Sequence, residues 1–137
     1  MEVILFETDK FNLTKEGEHF INPGCFGEDF ANWLQPKLEV HKITVLDTYQ
    51  EDWGWEIWCS HNSQDYYLGV GGVPDATKST DFGEWRVMFT KKRKLTESLL
   101  GKNKLVTSEK IISIVKSILE KEKFSNISFE DEKGNKT

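Results

Sequence analysis

Cysteine is scarce, and long apolar runs are missing. The two cysteines, Cys25 and Cys59, cannot build a disulfide framework, and so few thiols suit a reducing compartment. No apolar run reaches the roughly 18 residues that a membrane-crossing helix needs. The opening residues, Met1-Glu2-Val3-Ile4-Leu5-Phe6-Glu7, put acid where a signal peptide needs base, and their apolar run is too short. Cys-x-x-Cys, His-Glu-x-x-His, Gly-x-Ser-x-Gly and Walker motifs do not occur, and there is no internal repeat. The expectation is a cytoplasmic domain with no cofactor, no metal and no membrane contact.

Aromatics and charge are plentiful. Five Trp, nine Phe and three Tyr bring the aromatic fraction to 12% of 137 residues, enough to argue against disorder although 30% of residues are charged. Size scaling for one domain of this length buries about two-thirds of the chain's surface, a core that needs no staple. Residues 1–130 read as that single domain and the all-polar 131–137 as a fraying tail. The net charge of −5 is uneven. Residues 1–85 carry five Lys against sixteen Asp and Glu, a balance of −11, whereas residues 86–110 stand at +6 and residues 111–137 at zero. Such an acidic majority repels bulk nucleic acid and steers cationic partners.

Periodicity gives an α+β domain: a largely antiparallel sheet of four to six strands, with a meander over residues 53–90, packed by two main helices at about 26–38 and 108–122. Val3–Phe6 reads as a first strand. Phe26, Phe30, Trp33, Leu34 and Leu38 follow helical spacing, with a start at Asn22 and Pro23 or, since two glycines weaken it, nearer Gly27, and with Pro36 as a kink or stop. Ile43–Leu46 reads as a strand ended by Asp47-Thr48. Trp53, Trp55, Ile57 and Cys59 alternate onto one face of the next strand, which Asp65–Gly71 pairs with on its return. Leu68-Gly69-Val70-Gly71-Gly72 lacks a phosphate-loop Lys and reads as a strand end with a bulge or turn. Trp85, Val87 and Phe89 point inward on a further strand, with Arg86 and Met88 opposite. Leu95–Leu100 is a short helical turn closed by Gly101. Thr107 then caps a helix with the apolar stripe Ile111, Ile112, Val115, Ile118 and Leu119, Val106 acting as a staple. Phe124–Phe129 is a last edge strand. Trp58 and Met88, on the polar side of their strands, call for a cover or a binding surface there.

Three constellations could carry function. Cys25 near a helix start, with His19 as base and Glu28 or Asp29 as orienting acid, sketches a nucleophile or a small-molecule pocket. Against it, the acids oppose thiolate formation, and a buried Cys is commonly a small hydrophobe. Glu51, Asp52, Trp53, Trp55 and Glu56 combine carboxylates with rigid indoles of the kind that anchor interfaces, although two indoles on one face could equally fill the core. The set lacks the spacing of a calcium loop. Lys91-Lys92-Arg93-Lys94, with Arg86, Lys102, Lys104 and Lys110, could contact phosphate or RNA, yet a basic run after a strand also serves as a solvated edge. The leading expectation is a non-catalytic binding protein. It would engage a basic macromolecular partner, such as a nuclease-like toxin, through an acidic, Trp-bearing surface, as an immunity or inhibitor protein does. Candidate contacts are Glu51, Asp52, Trp53, Trp55 and Glu56. The alternatives are a pocket at His19, Cys25, Glu28 and Asp29, and nucleic acid contact at Lys91–Lys94.

Overall fold

Buried and half-exposed residues alternate along β1 (Glu2–Thr8), β3 (Gly54–His61) and β5 (Gly83–Lys91), the period-two pattern of strands buried on one face. These belong to a computed structural model that describes residues 2–22, 24–78 and 81–137. With β2 (Thr44–Glu51), β4 (Gln64–Pro74) and β6 (Ser125–Glu130) they form one six-stranded sheet in the order β2-β3-β4-β5-β1-β6. Every neighbouring pair is antiparallel. Three helices are described: α1 (Glu28–Val40), α2 (Leu95–Leu99) and α3 (Lys110–Lys121). The α+β class, the 53–90 meander and the two main helices are as the periodicity indicates. No helix among the described residues is long and apolar enough to cross a membrane.

The core lies between the sheet and the main helices. Phe30, Ala31, Leu34 and Leu38 of α1 and Ile111, Ile112, Val115, Ile118 and Leu119 of α3 are buried. They share one apolar cluster with Ile4, Phe6, Ile57, Leu68, Trp85, Val87 and Phe89 of the strands. The connection from β1 to α1, weakly patterned in sequence, contributes Phe11 and Leu13, both under 5% exposed. Phe11 stacks on Phe30 with centroids 4.9 Å apart and meets Trp85 edge-on at 5.4 Å.

Several local expectations change. The proposed Pro23 start lies outside the described residues; α1 begins at Glu28, and Gly27 at φ +148 precedes it. Pro36 does not end α1, because Asn32, whose carbonyl loses its amide partner, is exposed to water. Strand β2 runs past Asp47-Thr48 to Glu51, absorbing a register shift between Val45 and Asp47. The glycine run is no strand end: β4 stays in register with β5 through Pro74↔Gly83. Its glycines make room for indoles, Gly72 for Trp85 and Gly69 for Trp53. Helix α3 is capped at Glu109 instead of Thr107, and Val106 remains about half exposed, not stapled. The polar tail turns back on β6, with paired backbone hydrogen bonds between Phe129 and Thr137 of 3.1 and 2.8 Å.

Candidate functional site

Since the helices pack on one face of the sheet, the register fixes what the other face carries. One row across it reads Asp47, Trp58, Tyr67, Thr90 from β2 to β5. The next reads Tyr49, Glu56, Gly69, Met88, Val3, Glu130 from β2 to β6. Arg86 and Leu5, then Glu84 and Glu7, continue it on β5 and β1. Every one of these residues except Gly69 is exposed or half-buried, while on the inner strands the alternate positions, such as Ile4, Phe6, Ile57, Leu68, Trp85 and Val87, are sealed inside. Carboxylates recur in these rows at Asp47, Glu56, Glu84, Glu7 and Glu130, with Asp65 beside Trp58, against the bases Arg86 and, over the Trp58 ring, Lys92.

Trp53 reaches this face by an unexpected route. It sits with Asp52 in the two-residue connection between β2 and β3, outside the alternation of β3. Gly54 follows at φ +157, where a Cβ would strike the Val70 carbonyl. The chain thereby turns the Trp53 ring away from Trp55 and over Gly69, whose own Cβ would come within 2.5 Å of the indole. Trp53 keeps 46% of its surface exposed. Together Trp53, Glu56, Gly69, Val73, Arg86, Met88 and Thr90 line a shallow depression of about 480 Å³.

Polar contacts hold the surrounding side chains. The Tyr49 hydroxyl donates to Glu56 Oε1 at 2.5 Å. Burial first, then the Glu56 carboxylate, raises the Tyr49 pKa well above the usual phenol range, so Tyr49 remains a donor. Trp58 stacks against Tyr67 with centroids 6.2 Å apart and donates Nε1–H to Asp65 at 3.1 Å. The Lys92 ammonium lies 5.2 Å from the Trp58 ring centroid.

The five candidate contacts are thus divided. Trp53 and Glu56 share the open face; Glu51 ends β2, and exposed Asp52 accepts from the Asn22 side chain at 3.2 Å. Trp55 is a correction. It is 6% exposed, packs among core residues and donates its indole N–H to the Cys25 carbonyl at 3.2 Å, so it cannot be a contact. Trp58, Tyr49 and Tyr67 were not among the candidates, although the position of Trp58 opposite Trp55 and Ile57 in the alternation marked it.

The other two constellations come apart as machinery. His19 Nε2 lies 2.6 Å from Glu28, but the Cys25 thiol donates to the Asp52 carbonyl at 2.9 Å. Asp29 instead accepts the Asn12 and Phe30 amides at 2.7 and 2.9 Å. The described hydrogen bonds thus pair His19 with Glu28 and Cys25 with Asp52, and do not join His19 to Cys25. Buried Cys59 is pushed up to about 12, by burial first and then Asp65. In the basic run, Lys91 is 10% exposed and binds Glu109 at 2.9 Å. Arg93 donates to the backbone carbonyls of Lys102 and Glu97 at 2.9 and 3.0 Å, and Lys92 covers Trp58. Among the described residues there is no cluster of three or more His, Cys, Asp or Glu placed to hold a metal ion. In comparisons with known proteins, no family model matches this chain, and neither does any curated protein or solved structure.

Proposed function

We propose that this is a non-catalytic binding protein that captures a basic macromolecule on the open face of its sheet, as a cytoplasmic inhibitor or toxin-immunity protein would. The observation that carries this reading is the half-exposed set of Tyr49, Trp53, Trp58, Tyr67 and Met88 embedded in a field of carboxylates. Large rigid aromatics at the centre of a surface, with carboxylates outnumbering the bases Arg86 and Lys92 around them, have the anatomy of a protein interface. The charge accelerates encounter with a cationic partner, and the desolvated aromatics set the lifetime of the complex. The same carboxylates disfavour a phosphate backbone. With Lys91, Lys92 and Arg93 engaged within the fold, contact between the basic run and RNA has less support.

The test is kinetic. A partner captured from native-cell extract at low salt is bound to the wild type and to a double variant of two open-face carboxylates, Asp47→Lys with Glu84→Lys. Reversing those charges lowers the association rate by roughly tenfold at low ionic strength and flattens its salt dependence. An unchanged association rate, or recovery of nucleic acid as the bound species, contradicts the proposal.

A further inference from the structure

On the open face, Gly69 and Gly71 of β4 leave their rows without a side chain, and the depression lies at Gly69. Glycine there leaves a gap between Glu56 on β3 and Met88 on β5. The Trp53 indole leans in from the β2–β3 connection and occupies the space directly over Gly69, and the open depression lies beside the ring. The walls differ in chemistry. Trp53 offers nearly half its surface to solvent, Met88 is soft and apolar, and Glu56 is fixed in place by Tyr49 through one carboxylate oxygen. Among the described residues no donor takes the other oxygen.

We propose that this depression is an arginine-binding site, which receives one guanidinium side chain of the basic partner as the central anchor of the complex. The proposal rests on the open-face reading and adds the identity of the anchoring group. A guanidinium is flat and weakly hydrated. It stacks on an indole and forms paired hydrogen bonds with a carboxylate, and its methylene stem packs on a thioether. Trp53, Glu56 and Met88 supply these three partners around one depression. A lysine ammonium, compact and strongly hydrated, gains less from the indole and cannot make the paired contact. Arg86, also at the rim, stands two strands from Glu56, roughly 10 Å at the usual strand spacing. Its guanidinium pairs with Glu84 at 3.2 Å, which offsets part of its repulsion toward an incoming cation.

The experiment compares labelled nona-arginine and nona-lysine peptides, titrated by fluorescence anisotropy at low ionic strength against the full chain. Both bind the acidic face, nona-arginine about tenfold more tightly. Trp53→Ala and Glu56→Gln each remove most of that preference while nona-lysine affinity changes little. Gly69→Ala, whose methyl displaces the indole, does the same, and circular dichroism checks that each variant is folded. Equal affinity for the two peptides, or a preference that survives Trp53→Ala, overturns the arginine site and leaves the acidic docking face standing. Failure of both peptides to bind overturns both.

Discussion

At the scale of single residues, Glu109 connects three parts of the fold. Its carboxylate accepts from Lys91 at 2.9 Å and from the Tyr66 hydroxyl at 2.8 Å, and also from the Val106 amide at 3.1 Å. Burial alone would raise its pKa; the hydrogen bonds from Lys91, Tyr66 and Val106 outweigh burial and hold the carboxyl below the ordinary range. A lowered folded-state pKa contributes stability that is fully present above the unfolded value of about 4.3 and is lost as pH falls through the folded value. Glu109→Gln should therefore cost about 3 kcal/mol at neutral pH, since Lys91 keeps a buried charge without its counter-ion. The gap to wild type should narrow as pH falls below 4; denaturant unfolding at pH 7 and at pH 3.5 measures both. Asp75, held low by the Thr77 hydroxyl, and Asp131, held low by the Asn135 amide, titrate in the same direction in both proteins and drop out of the difference. Little of this node was legible in sequence. Lys91 looked like one member of a solvated run, because a basic cluster does not reveal which of its members meets a carboxylate 18 residues on. Trp53 was misplaced for a related reason. Strict alternation put it beside Trp55, and a glycine that lets the chain turn gives no signal of where the turned side chain will land.

At the scale of elements, periodicity carried the most information where one face is fully buried. The stripe Ile111–Leu119 and the inward set Trp85, Val87 and Phe89 follow directly from it. It failed where backbone hydrogen bonds, not side chains, decide the element: in the glycine-rich half of β4 and beyond the bulge in β2. The two outer helices also separate sharply in function. Helix α3 is anchored by its buried stripe, whereas Leu95 and Leu99 of α2 are 76% and 77% exposed. Ile111→Ala should therefore destabilise by about 2–5 kcal/mol, and Leu99→Ala by less than about 0.5 kcal/mol. Thermal or urea unfolding of the two variants provides the comparison; equal losses would mean that α2 carries part of the core.

At the scale of the molecule, two helices cover one face of a six-stranded sheet and leave the other to solvent. That one-sidedness was partly legible, since Trp58 and Met88 stand on the polar side of strands whose other side is apolar. The sequence also contained the acidic excess of residues 1–85, but only the strand order gathers Glu7, Asp47, Glu56, Asp65 and Glu84 onto one surface. The most direct measurement is hydroxyl-radical footprinting of the complex with its captured partner, read at individual side chains by mass spectrometry. Docking on the open face protects Trp53, Trp58 and Met88 and leaves Trp33, half-buried on α1, oxidised at its unbound rate. Protection of Trp33, with Trp53, Trp58 and Met88 as reactive as in the unbound protein, would place the partner on the helical face and contradict the proposal.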